Sequence, residues 1–323
     1  MKTKGDARHV FRCLHENQRA RDLGQELPHS IVGVGLGGGM ECIRVAATCA
    51  VLQEYGLAHA FSTLVAISGS GGPFGSLLSD NAHRLVMLFQ HLAVSGFIKW
   101  DPSIYAYRMD MKLYEDVLTG ERAMFGLNQK MIEQSPVDFW VMATRPDGTP
   151  RVINVKTMRP HAARAICASC AVPISSAPIV VDGEDLHDGA FSGNPMPIEL
   201  SISLLKSLKE GERPKVLVMQ SRIHPKYRQT EWWMWPSWVR LMYGRALSPA
   251  LCENMARVDS CFASAAERLA LMREVDWCRL APTPLDTSIL PTTISLPLLR
   301  HVYDEVRYFV RNLVVDTLPA RQI

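Results

Sequence analysis

Three short segments of the 323-residue sequence carry residue types that together could perform acyl transfer. Ser68 stands in Ala66-Ile67-Ser68-Gly69-Ser70, where a β-rich run gives way to glycine. Small residues around a serine permit a strand-to-helix turn too tight for larger side chains, and a hydroxyl exposed there can attack a carbonyl. The Gly69 amide and the following helix start would face the developing oxyanion. The same letters also describe an ordinary glycine-serine loop. Asp188 lies in Leu186-His187-Asp188-Gly189-Ala190. A carboxylate in a glycine-rich loop between apolar segments can have a raised pKa and take a proton directly from a serine, although Asp-Gly is also a common turn. Gly37, Gly38 and Gly39 offer closely spaced backbone amides where an oxyanion hole is needed. Gly33-x-Gly35-x-x-Gly38 satisfies the dinucleotide-binding pattern too, but the acid that would bind the ribose, Glu54, falls in a helix before Tyr55-Gly56 instead of ending a second strand.

The elements that must position these groups follow from periodicity. Residues 30–34 form a β-branched run entering the glycine-rich turn, after which Ile43, Ala47, Ala50 and Val51 share one helical face and Gly56 supplies a stop. Residues 61–67 repeat the pattern into Ser68, with helix expected again over 74–78. Two successive strand-loop-helix units require crossover connections and a parallel sheet, because parallel neighbours cannot be joined by a tight turn. The expected fold class is therefore α/β. Residues 81–96 read as an amphipathic helix, and the stretch from Ser95 to Gln134 as a lid over a site. Residues 138–144 and 151–156 flank Pro146-Asp147-Gly148-Thr149-Pro150, strong turn chemistry for an antiparallel hairpin. Residues 216–220 read as a further strand, and 298–313 as an amphipathic helix. We expect a core over residues 1–222 and a mainly helical C-terminal region over 223–323 packed on it.

Composition narrows the function classes. A hydrophobic content of 47% supports a large core, and 35 Lys and Arg against 32 Asp and Glu give a charge of +3, which offers no global field for nucleic acid. Eight cysteines in apolar or helical surroundings read as free buried thiols in a reducing compartment, and Cys167-x-x-Cys170 lacks the second pair or histidines of a zinc site. The first residues are polar and charged, without the apolar stretch of a secretory signal. The uncharged stretch 55–79 is broken by glycines, serines and Pro73 and reads as core, not as a membrane span. The expected location is cytoplasmic.

Taken in order, these segments resemble the patatin-like phospholipase family. That family has G-G-G-x-R/K-G, a helix ending L-x-E-x-G, a strand into G-x-S-x-G, then A-S-x-A-x-P and D-G-G or D-G-A. Here Gly37-Gly38-Gly39, Leu52-Gln53-Glu54-Tyr55-Gly56, the run 61–68, Ala168-Ser169-Cys170-Ala171-Val172-Pro173 and Asp188-Gly189-Ala190 fall into that series. The resemblance spans residues 31–221. It implies a three-layer α/β/α sandwich with a mainly parallel sheet, Ser68 as nucleophile, Asp188 as its direct base, an oxyanion hole from Gly37, Gly38, Gly39 and Gly69, an acyl-enzyme, and no metal or cofactor. The chain departs from the pattern at Glu41 and Cys42, which replace the Arg or Lys and the next Gly, and at Ala66 and Ser70 in the elbow. A carboxylate desolvated beside an oxyanion would cost several kcal/mol, so Glu41 must point away or Arg44, three residues on, must supply the missing charge.

Two alternatives accompany this reading: an α/β-hydrolase triad of Ser68, Asp188 and His224 or His301, and a catalytically inactive lipid- or partner-binding protein of the same fold. The expected partner is a membrane lipid or lipid-like ester. Trp232, Trp233, Trp235 and Trp238, flanked by Lys226, Arg228, Arg240 and Arg245, have the composition of an interfacial anchor. A protein activator could act on the lid or on the C-terminal helices.

Overall fold

The computed structural model describes the chain except residues 105, 122–124, 207, 209–210, 223–235, 245, 284–291 and 319–323. β1 (Lys2–Gly5) precedes α1 (Ala7–Asp22), capped where the Asp6 carboxylate accepts from the His9 amide. β2 (Ile31–Gly35) leads through the glycine loop into α2 (Ile43–Glu54), which ends before Gly56 at φ +69°, a conformation glycine adopts without strain. β3 (Thr63–Ile67) then leads through Ser68 into α3 (Gly71–Leu78). After α4 (Leu85–Val94) come an antiparallel hairpin of β4 (Ile98–Asp101) and β5 (Ala106–Met109), then α5 (Met111–Thr119) and α6 (Gln129–Gln134). β6 (Asp138–Thr144) and β7 (Pro150–Asn154) form the hairpin the turn residues predict. α7 (Ala162–Cys170), β8 (Ile179–Val181), β9 (Glu184–Asp188), α8 (Ile198–Ser203) and β10 (Lys215–Met219) follow. The chain continues through α9 (Pro236–Tyr243), α10 (Pro249–Leu271), β11 (Asp276–Ala281) and α11 (Leu296–Val315).

The main sheet has the order β1-β11-β10-β2-β3-β6-β9-β8, with β7 also paired to β6. Its centre, from β11 through β10, β2 and β3 to β6, is parallel, and the outer pairings are antiparallel. Alternation along the central strands feeds two cores. Leu64, Ala66, Leu217 and Met219 pack toward α1, α2, α3, α7 and α11, whereas Val32, Val34, Val65, Ile67, Val216 and Val218 pack toward α8 and α10. Helices therefore cover both faces, and the fold is an α/β sandwich with a mostly parallel central sheet. Residues beyond 222 contribute to this core directly: β11 lies between β10 and β1, and α11 is tied to the end of α2 by Arg307 and Arg311 on Glu54. Among the described residues no helix is long and apolar enough to cross a membrane.

Register explains how distant residues converge. β3 runs parallel to β6 with Ile67 opposite Met142, and β9 runs antiparallel to β6 with Asp188 opposite Ala143. Ser68 and Asp188 thus leave the same edge of the sheet, one on either side of β6. β2 pairs with β3 through Gly35 and Ala66, so the glycine loop leaves that edge as well.

Candidate active site

Ser68 follows β3 at φ +55°, a left-handed conformation that strains a residue with a Cβ. Several contacts hold it there. Its amide donates to Ser169 Oγ at 2.9 Å, and Ser169 in turn donates to the Met142 carbonyl at 2.6 Å. Ser70, fully buried, accepts from the Ile67 amide at 2.9 Å and has the carbonyls of Gly35 and Ile67 each 2.8 Å from its hydroxyl. The turn is thus closed by side-chain hydroxyls. Nothing in the local sequence around Ala168-Ser169 assigns the serine a part; it anchors the Ser68 amide from α7.

Ser68 Oγ donates to Asp188 Oδ2 at 2.5 Å. Asp188 ends β9, so it belongs to a strand and not to the glycine-rich loop expected from its neighbours. Its second carboxylate oxygen accepts from the Ala190 amide at 2.8 Å, its amide donates to the Ala171 carbonyl, and its carbonyl accepts from Thr144 Oγ1 at 2.7 Å. Burial pushes its pKa up to about 6, against the downward pull of the Ser68 and Ala190 hydrogen bonds and the Arg222 charge. A carboxylate so placed is ionised at neutral pH yet basic enough to accept a proton.

Gly37, Gly38, Gly39 and Gly69 line the same cavity as Ser68 and Asp188. A Cβ on Gly37 would lie 2.8 Å from Ser68 Cβ, so glycine is what allows the loop to approach the serine. Glu41 is buried but does not line the cavity. Its carboxylate lies 3.6 Å from the Arg222 guanidinium, and Arg222 does line the cavity. Arg44 is buried too and donates to the Ser221 carbonyl at 2.9 Å, away from the cavity lining. The cation beside the site is therefore Arg222, not Arg44. Arg222 follows β10, whose parallel pairing with β2 sets Met219 opposite Gly35 and so carries residues 221 and 222 alongside the glycine loop.

The cavity is open to solvent on one side. Leu88, Phe89 and Leu92 from α4, Phe97 and Ile98, Tyr107 and Met109 from β5, and Tyr114 from α5 make its walls largely apolar. Within residues 95–134, β4, β5 and α5 thus contribute to the cavity wall, and the pairing of β4 with β5 departs from the weak helical signal of that stretch. Ile174, in the loop between cavity residues Val172 and Ser175, has φ +73°, rare for a β-branched residue.

Other sequence candidates fall elsewhere. His301 is exposed on α11 beside Glu305 at 3.7 Å, and among the described residues no histidine lines the cavity. His224 lies outside the described residues, as do Trp232, Trp233, Trp235, Lys226, Arg228 and Arg245. Trp238 is half-buried on α9. Cys167 and Cys170 are free thiols on α7, both pushed well up by burial, and Cys170 lines the cavity. Glu54 is held by Arg307 and Arg311, and a Cβ on Gly33 would meet the Leu64 and Phe61 side chains, so these two serve packing instead of a nucleotide.

Fold and site together define an α/β protein with a buried serine-aspartate pair at one end of an apolar cavity. No protein-family model matches the chain, and no curated protein matches it in sequence. Among solved structures, VipD from Legionella pneumophila is similar over 90% of this chain and 68% of its own, at 12% identity and a TM-score of 0.47.

Proposed function

We propose that this protein is a serine acyl hydrolase of lipid esters that works through Ser68 and Asp188. The observation that carries the proposal is the 2.5 Å contact between Ser68 Oγ and a buried Asp188 carboxylate where an apolar cavity meets a glycine loop. Ser68 Oγ attacks the ester carbonyl as its proton passes to Asp188, and the amides of the Gly37 to Gly39 loop and of Gly69 receive the oxyanion. Protonated Asp188 gives that proton to the departing alkoxide. Water then attacks the acyl-serine with Asp188 again as base, releasing the fatty acid and restoring both groups. The first amides of a helical turn lack intrahelical acceptors, which suits the glycine loop and Gly69 to this task. Arg222 lies between the Glu41 and Asp259 carboxylates, at 3.6 Å and 3.9 Å, and its charge favours the ionised form of Asp188.

A cavity with largely apolar walls suits an acyl chain. Trp100, 44% exposed, stacks edge-on at 5.3 Å against the cavity residue Tyr107. An exposed aromatic side chain beside a cavity residue suits a substrate drawn from a lipid surface. The motif series resembling patatin-like phospholipases points to the same substrate class.

Fluorophosphonate labelling tests the chemistry. Wild-type protein is expected to label covalently and Ser68→Ala not to label; folded wild type that resists lipid-like fluorophosphonates would overturn the proposal. Retained activity in His224→Ala is expected for the dyad, and loss by orders of magnitude would replace it with a triad.

A further inference from the structure

Outside the cavity, α1 gathers side chains of metal-ligand type around the segment that enters β2. Cys13 and Glu16 are three residues apart on one helical face. His29 reaches them from the α1–β2 connection, and one ligand atom from each of the three lies within 4.8 Å of the other two. The His29 ring nitrogen is 2.5 Å from Glu16 Oε2. His9, one turn before Cys13, places Nε2 3.8 Å from Cys13 Sγ and 3.5 Å from Asp276 Oδ2 at the start of β11.

The backbone holding His29 is unusually well fixed. Asn17, fully buried on α1, accepts from the His29 amide at 3.0 Å and donates to the His29 carbonyl at 2.8 Å and to the Ala60 carbonyl at 2.8 Å. A ligand on a loop clamped in this way is set before any ion arrives, as metal sites require. Bond lengths to zinc of about 2.0–2.3 Å put the ligand atoms of a tetrahedral site roughly 3.3–3.7 Å apart. Glu16 and His29 need only part by about 1 Å, which their partly exposed ends allow.

We propose that Cys13, Glu16 and His29 bind a divalent transition-metal ion of the zinc class, with water completing the coordination. One thiolate, one imidazole and one carboxylate suit zinc or cobalt, whereas magnesium and calcium take oxygen ligands. The site joins α1 to the entrance of β2, whereas Gly37 leaves its other end, so the ion's role is to fix the strand that carries the glycine loop and not to take part in chemistry at Ser68.

Cobalt(II) titration of the metal-stripped full chain tests this without reference to activity. Saturation near one equivalent with a thiolate-to-cobalt charge-transfer band and visible tetrahedral absorption is expected, with competition by zinc. Cys13→Ser should abolish the charge-transfer band and Cys261→Ser should keep it. Glu16→Gln and His29→Gln, changes at partly exposed positions, should each weaken binding about tenfold or more. Absence of the band in folded wild type, its survival in Cys13→Ser, or unchanged affinity in both Glu16→Gln and His29→Gln would each overturn the proposal.

Discussion

The two strand-loop-helix units built on β2 and β3 look alike in sequence, yet they solve opposite problems. The β2 unit supplies space, and the β3 unit fills it with hydroxyls. A Cβ on Gly35 would lie 2.8 Å from Ser70 Cβ, and one on Gly37 would lie 2.8 Å from Ser68 Cβ. Each of these glycines faces a serine across the parallel pair. The strained backbone also falls on the β3 side, where Ser68 has positive φ, whereas Gly35 and Gly37 do not. A small residue is thus needed at two places where chains approach, and glycine can stand on either side of the contact. This is why Ser70 fits where a G-x-S-x-G elbow has glycine: Gly35 opposite it leaves the room.

The largest expected effect comes from removing the charge that both units serve. Asp188→Asn should lower kcat/KM by about 10²–10⁴-fold, the usual contribution of a positioned base. In the wild type kcat/KM should fall as pH drops through about 6, because protonated Asp188 cannot accept the Ser68 proton. Stability should move the other way. The folded pKa of about 6 lies above the ordinary 3.8, so the folded state binds the proton more tightly, and the protein gains stability as pH falls from 6 toward 4. At neutral pH the buried charge costs about 3 kcal/mol at 1.36 kcal/mol per unit. Asp188→Asn should therefore raise unfolding stability by about 1–3 kcal/mol at pH 7.5 and by little at pH 4 in urea titrations. A variant that loses activity and stability together at pH 7.5 would mean that Asp188 serves the fold more than the reaction.

Next in size is a direct attack on the spacing between the units. Gly37→Ala puts a methyl 2.8 Å from Ser68 Cβ and 3.4 Å from the Ile67 carbonyl, and both neighbours belong to a tightly bonded turn. Displacing a nucleophile by a fraction of an ångström to 1 Å can cost about 10²-fold. We expect a loss of that order in kcat/KM on a water-soluble short-chain ester, with far-UV circular dichroism unchanged. Full activity would show that the glycine loop can move away from Ser68 freely.

The unequal visibility of these features in the sequence has a physical origin. Strand-loop-helix order, the alternation in β2, β3 and β10, and the amphipathic α11 are local patterns, and they predict the sandwich. Ser68 and Asp188 were singled out by turn chemistry and by the order of the segments, while the 2.5 Å contact between them depends on register through β6. Arg222 was missed because nothing near Glu41 in sequence points to a partner 181 positions on; parallel pairing of β10 with β2 brings it there. Ser169 belongs to a local motif, but its hydrogen bond to Ser68 forms only because α7 packs against the elbow. The four-residue strands β4 and β5 are too short for alternation to register against a helical background.

The smallest effect on rate, and the sharpest test of the complementarity, lies at the second glycine-serine contact, one step from the chemistry. Gly35→Ala overpacks the site against Ser70 and the Phe74 ring end 3.0 Å away, which should cost about 1–3 kcal/mol of stability. Ser70→Gly removes the hydroxyl that satisfies the buried Ile67 amide and should also cost about 1–3 kcal/mol. If the two residues share one volume, the double variant loses less than the sum, because the new methyl occupies the place of the lost Ser70 side chain. A coupling of about 0.5–3 kcal/mol in the double-mutant cycle is expected. Relief stays partial, since Phe74 must still shift and the Ile67 amide remains without its acceptor. Additive losses within about 0.3–0.5 kcal/mol, the range for independent sites, would show that Gly35 answers to Phe74 alone, and that the exchange of glycine for serine across the strands holds only at Gly37 and Ser68.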